Sequence, residues 1–280
     1  MNAERIDAHQ HFWDPSRGDY GWLTPELQTL YRVFGPADLK PLREAVQVAR
    51  TVVVQAAPTI DETRYLLDLT RDDGSIAGIV GWVPLDAPNS VELIDELARE
   101  LKLKGVRPML QDLPDNRWIE NPALAPAIHA LIKHDLVFDA LIFSRHVPSL
   151  KVFAARFPEL RIVVDHGAKP QIRDGHAAWQ SWADGIAELA ALPQRLVCKL
   201  SGLPTEAAPG WSVATLKPYV DHLLDCFGPE RLMWGSDWPV LNLNGGYAQW
   251  FGAARQLTAH LDASAQQAIF GDNASEFYRL

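Results

Sequence analysis

Two histidines stand one residue apart near the start of the chain, His9 and His11 in the stretch RIDAHQHFW. Alternate residues of a β-strand share a face and lie about 7 Å apart along it. Both imidazoles can therefore converge on one metal ion or one substrate atom. A lone pair of histidines is weak evidence, but other short apolar runs also end on polar residues. Arg107 follows LKGV, Asp165 and His166 follow RIVV, Lys199 and Ser201 end LVCKLSGL, and Asp237 ends RLMWGSDWPV. Taken singly, each has an ordinary structural reading: a rim ion pair for Arg107 or Lys199, a satisfied core imidazole for His166, a helix cap or supporting carboxylate for Asp165. Packing alone does not account for three histidines and an aspartate at equivalent strand ends.

The chemistry such a set supports is hydrolysis. Three imidazoles and a carboxylate, His9, His11, His166 and Asp237, can hold one zinc-like ion through ligands about 2.0–2.2 Å away and leave a position for water. The same groups can also work without metal. Asp237 then takes the proton of an attacking water, while an imidazole polarises the carbonyl oxygen that becomes the oxyanion. Arg107 and Lys199 are expected to bind ring carbonyl or hydroxyl groups, and Trp13, Trp22 or Trp238 to cover an apolar face of the substrate.

These residues need a scaffold that gathers strand ends. Eight short β-branched runs recur along the chain: RIDAHQHF, RTVVVQAA, IAGIVGWVPL, LKGVRPML, LVFDALIF, RIVVDHGA, LVCKLSGL and RLMWGSDWPV. Amphipathic stretches separate them, for example Val91, Ile94, Leu97, Ala98 and Leu101 behind candidate caps Asn89 and Ser90. The mean spacing of about 35 residues suits one strand, one helix and two loops. An α/β fold of the (β/α)8 TIM-barrel type over residues 1–280, a single domain, is expected, with its functional residues at the C-terminal strand ends. Two segments break the rhythm. A long aromatic loop, residues 14–36, follows the first strand and is either a lid or rim packing. The C-terminal stretch reads as extra helices with Ile269, Phe270 and Phe277 facing inwards and Asn273 bonding backbone.

Composition narrows the partners. A formal charge of −9 leaves no basic stripe for nucleic acid or an anionic membrane, so a small molecule is expected. No apolar run reaches the length of a membrane span, and Glu4, Arg5 and Asp7 stand where a signal peptide needs an apolar core. Cys198 and Cys226 have no metal-type spacing, which fits a reducing, cytoplasmic compartment. The oligomeric state is open.

Five motifs in order, DAHQHFWDP, VVDHGAKP, CKLSG, WGSDWPV and the terminal GDNASEFYRL, resemble the amidohydrolase superfamily, in the branch of sugar-lactone and pyrone-dicarboxylate lactonases. Within that branch the chain is most similar to L-fuconolactonase- and L-rhamnonolactonase-like enzymes. The resemblance implies that His9 and His11 are the first-strand pair, His166 the later histidine and Asp237 the carboxylate that activates water on a sugar lactone. Two-metal members add a bridging lysine and a further histidine. Here FDALIF has no lysine and Lys199 stands where that histidine would be sought, which implies one divalent metal, zinc first, or none. A metal-dependent decarboxylase acting on a carboxylated ring, clamped by Arg107 and Lys199, is the main alternative. A pyrone-dicarboxylate-type lactonase and a noncatalytic sugar-binding barrel are the others.

Overall fold

The computed structural model describes residues 4–194 and 196–280. Each of the eight apolar runs carries one strand, the second strand starting two residues ahead of its run: β1 (Arg5–Gln10), β2 (Val48–Val54), β3 (Ile76–Gly81), β4 (Leu103–Val106), β5 (Val137–Ala140), β6 (Ile162–Val164), β7 (Val197–Leu200) and β8 (Leu232–Trp234). The strands form one parallel sheet in sequential order. Helices α1 (Pro36–Ala45), α2 (Ile60–Leu69), α3 (Ser90–Leu97), α4 (Ala125–Lys133), α5 (Val147–Arg156), α6 (His176–Ala190), α7 (Leu203–Glu206), α8 (Val213–Phe227) and α9 (Tyr247–Leu257) intervene or follow, with α10 (Ala263–Gln267) and α11 (Asn273–Tyr278) at the end. This is the expected (β/α)8 architecture.

Strand alternation produces two apolar layers. Val52, Val54, Val137, Val163, Val197 and Met233 fill the barrel interior, closed at one end by Tyr278, whereas Val53, Phe138 and Cys198 face the helices. Local signals set the helix ends. Thr59 caps α2 by accepting from Glu62 N at 3.1 Å. In α3 the expected periodicity extends too far: the helix stops at Leu97, and Leu101 is 87% exposed. Because β4 begins at Leu103, the chain must turn between the two elements.

The sheet closes where β8 meets β1. Gln10 pairs with Trp238 in a parallel bridge, His11 N donates to Trp238 O at 2.7 Å, and Asp237 N donates to His9 O at 2.8 Å. The buried Asp7 carboxylate ties the junction by accepting from Ser236 N (2.8 Å), His9 N (3.2 Å) and Tyr247 OH (2.9 Å). Gly235 is required here, since a Cβ on it would lie 2.7 Å from His9 Cβ.

The 14–36 loop is fastened at its base by paired backbone bonds between Trp13 and Phe34, both 3.0 Å. Leu30 and Phe34 are buried, and Trp13 Nε1 donates to Leu30 O and Arg32 O. At the other end of the chain Ile269 and Phe270 face inwards as expected, but Phe277 is only partly buried and Tyr278 takes the interior position. Asn273 Nδ2 donates to Pro229 O and Leu232 O at 2.7 and 2.6 Å, a backbone role.

Candidate active site

A cavity of about 190 Å³ opens at the C-terminal ends of the strands. It holds one small ring, below the roughly 300–1,000 Å³ usual for drug-sized ligands. Its lining includes His11, Trp13, Trp22, Arg107, His166 and Asp237, together with Met109, Gln111, Asp112 and Lys169. His9 lies directly beneath, fully buried.

The first-strand pair converges, His9 Nε2 and His11 Nε2 being 3.2 Å apart, although β1 ends at Gln10 and His11 lies just beyond it. Asp237 Oδ1 lies 3.3 Å from His11 Nε2, 3.8 Å from His9 Nε2 and 3.8 Å from His166 Nε2. A backbone partner sets the His11 tautomer. His11 Nδ1 is 2.7 Å from Val54 O, which can only accept, so Nδ1 carries hydrogen and Nε2 presents a lone pair. Arg107 Nη1 lies 3.4 Å from His9 Nε2 and Lys199 Nζ 3.1 Å from His9 Nδ1, so two donor-only groups flank an imidazole that has a single lone pair when neutral. The His11 lone pair and the Asp237 carboxylate oxygen thus face each other at 3.3 Å, and a proton or a cation between them satisfies both.

The electrostatics point the same way. Burial, followed by the field of Lys199, holds the His9 imidazole well below its ordinary range against the pull of Asp165. Burial likewise takes His166 down to about 4, opposed by Asp237 and Asp165. Burial works to raise the Asp237 carboxyl, but the fields of His166, His9 and His11 overcome it and keep the group ionised. Neutral imidazoles around a carboxylate are the protonation states a divalent cation requires. His9, His166 and Asp237 each offer a ligand atom within 4.8 Å of the others, with His11 alongside. The donor set fits a divalent metal.

Two glycines position His166. The chain leaves β6 through four consecutive left-handed residues, His166 (φ 52°), Gly167 (55°), Ala168 (57°) and Lys169 (50°). Left-handed geometry costs a non-glycine residue about 1–2 kcal/mol, so the surroundings must hold the turn. Trp182 Nε1 donates to Gly167 O at 2.7 Å, and Leu223 fills the space a Cβ at Gly167 would need. Gly202 leaves room for the imidazole, whose Nδ1 is 2.8 Å from Ser201 Oγ.

The remaining expected site residues divide. Arg107 lines the cavity with its guanidinium fixed from behind: Nη2 donates to Gln55 O (2.5 Å) and Gln55 Oε1 (2.9 Å). Trp13 and Trp22 meet edge to face at 5.3 Å, and Trp22 Nε1 donates to Ala56 O at 2.7 Å. Lys199 and Trp238 are not brought to the cavity. Lys199 shares interior parity with Val197 and lies fully buried below His9, 2.5 Å from Asp139 Oδ2, 3.0 Å from Asp165 Oδ1 and 3.1 Å from His9 Nδ1. The Asp165 contact is an ion pair out of line for a hydrogen bond. Trp238 packs between Phe12 and Phe34. An internal cation and a core indole replace the substrate contacts expected of this pair.

Sequence reading missed Gln55, Asp139, Gln111 and Lys169. Asp139 was detectable, because it occupies an interior position two residues after Val137 in β5. Gln111 comes from a single 3-10 turn after β4 and gives no such signal.

The amidohydrolase family model matches residues 6–280. An L-fucono-1,5-lactonase from Burkholderia ambifaria is 48% identical over 99% of this chain and 96% of its own length. An L-fucono-1,5-lactonase from Burkholderia multivorans is 38% identical over 100% and 97%. A crystal structure of a Burkholderia multivorans amidohydrolase with bound Zn superposes with a TM-score of 0.94 at 38% identity, covering 99% of this chain and 100% of that one.

Proposed function

The chain belongs to the amidohydrolase family, and from that premise we propose that it hydrolyses an aldonolactone of the L-fucono class to the open-chain sugar acid. The observation that carries this reading is the full-length match to two L-fucono-1,5-lactonases, at 48% and 38% identity. The cavity supports it, being sized for one ring and bearing a carboxylate beside three imidazoles.

In this mechanism Asp237 accepts a proton from water as the water oxygen forms its bond to the lactone carbonyl carbon. Ionised and 4% exposed, the carboxylate is poised for that task. Arg107, fixed by Gln55, supplies positive charge beside the carbonyl oxygen as the oxyanion develops. When the carbonyl re-forms, the ring C–O bond breaks, and Asp237 returns its proton to the departing alkoxide. Trp13 and Trp22, packed edge to face, cover the apolar side of the ring. His9, His11, His166 and Asp237 would hold one divalent metal, zinc by analogy with the structural relative, and it would supply Lewis acidity for the carbonyl. Lys199 leaves no room for a second ion, since its ammonium already answers Asp139 and Asp165.

The decarboxylase reading loses its main support. It requires Arg107 and Lys199 to clamp substrate carboxylates together, whereas Lys199 is enclosed below His9 and does not reach the cavity. Cytoplasmic residence belongs to the same proposal and is supported by two unpaired thiols, Cys198 and Cys226. Among the described residues no helix is long and apolar enough to cross a membrane.

The test is acid release from a panel of aldonolactones, including L-fucono-1,5- and 1,4-lactone, by metal-loaded and chelator-treated protein with metal content measured on each sample. Rapid opening of L-fuconolactone is expected. If neither preparation opens any lactone, the reading is overturned.

A further inference from the structure

Lys169 lines the cavity and takes no part in the chemistry at the lactone carbonyl. It is the last residue of the left-handed turn that carries His166, so one short segment delivers both side chains to the same space. Its Nζ is 3.0 Å from Gln111 Oε1, on the loop after β4, and 3.3 Å from Glu206 Oε1, in α7 after β7. The ammonium therefore links three segments around the cavity. An ammonium has three hydrogens; Gln111 accepts one, Glu206 compensates the charge as an ion pair without a hydrogen bond, and a further hydrogen is available to a ligand. Arg107 differs, because its donors are directed to Gln55 and Asp165.

The charge around Lys169 selects among ligands. Glu206 compensates the ammonium, and Asp112 lines the same cavity. A carboxylated ring would meet two acidic side chains there. A neutral, hydroxylated ring meets a charged donor in Lys169 and an amide in Gln111, both able to bond hydroxyl oxygens.

Resting on the lactonase reading, we propose that Lys169 is a specificity-determining residue that binds substrate hydroxyls through its cavity-facing hydrogen, held in place by Gln111 and Glu206. It grips the part of the substrate that does not react. Its loss therefore weakens binding of hydroxylated lactones and leaves the chemistry at the carbonyl unchanged.

The experiment compares the parent with Lys169→Met and Lys169→Gln on two substrates, L-fuconolactone and the hydroxyl-free δ-valerolactone. For the hydroxylated lactone, KM is expected to rise about 10- to 100-fold, the loss of one hydrogen bond from a charged donor, with kcat within threefold. For δ-valerolactone neither constant is expected to change more than twofold, and Lys169→Arg recovers part of the L-fuconolactone KM. A similar loss on both substrates overturns the proposal by making Lys169 a support for the turn. No loss on either also overturns it. The lactonase reading fails separately, through a parent protein that opens neither lactone, and the proposal falls with it. Lys169→Gln keeps the comparison decisive should Lys169→Met unfold, because it retains a polar end at the same backbone position.

Discussion

Replacing Asp237 by Asn separates its chemistry from its place in the fold. Asp237 has φ 58°, a left-handed conformation that Asn tolerates better than most residues. The backbone bond from Asp237 N to His9 O at 2.8 Å does not involve the side chain and survives. The new amide would stand 3.3 Å from His11 Nε2, where it can donate to the lone pair that the carboxylate opposes. Stability should therefore hold within a few degrees of the parent. What vanishes is the proton acceptor, a function typically worth about 10²–10⁴ in rate, or about 3–5 kcal/mol of barrier. The assay is steady-state acid release on L-fuconolactone, paired with thermal denaturation and metal analysis of the same preparation. A variant with parental melting temperature and more than a tenth of parental kcat/KM would refute the general-base assignment.

Three further outcomes follow from the geometry. Gly202→Ala places a Cβ 2.6 Å from His166 Nδ1 at a residue with φ +67°; we expect about 1–2 kcal/mol of destabilisation but more than tenfold loss of turnover, and equal modest effects on both would contradict this. Lys199→Met leaves Asp139 and Asp165 without their buried cation, a loss of about 3–5 kcal/mol. Adding Asp139→Asn should recover part of it in urea melts, and strict additivity would show that the pair is not coupled. Burial pushes Glu62 up to about 8 against the backbone hydrogen bonds from Ala57 and Ala56. A carboxyl raised in the folded state contributes stability that is present below its unfolded value near 4.5 and lost as pH rises through about 8. The melting temperature of the parent should thus fall more steeply between pH 6 and pH 9 than that of Glu62→Gln, and parallel profiles would exclude Glu62 as the cause.

Much of this architecture could be read from the chain because strand parity and strand ends are one-dimensional signals. Every β-branched run became a strand, and His9, His11, His166 and Asp237 came together. Where reasoning went astray, the deciding quantity was depth or backbone twist. Lys199 differs from a rim lysine only in sharing parity with Val197, and a charged residue inside a barrel is so costly that its partners must be identified before it is believed. Trp238 follows a left-handed residue, so its direction cannot be obtained by counting. Lys169 was hidden for the same reason: four left-handed residues turn the chain in a way no helix or strand period describes.

The junction of β1 and β8 has a kinetic consequence. His11 and Asp237 are 226 residues apart, and the ties from Asp7 to Ser236 and Tyr247 span 229 and 240. Contacts of such sequence separation carry a large loop-closure cost and form late in folding. During synthesis the first histidines emerge long before their carboxylate partner exists. No partial barrel assembles the reacting groups, so catalytic competence arrives with ring closure and serves as a direct report of the completed fold.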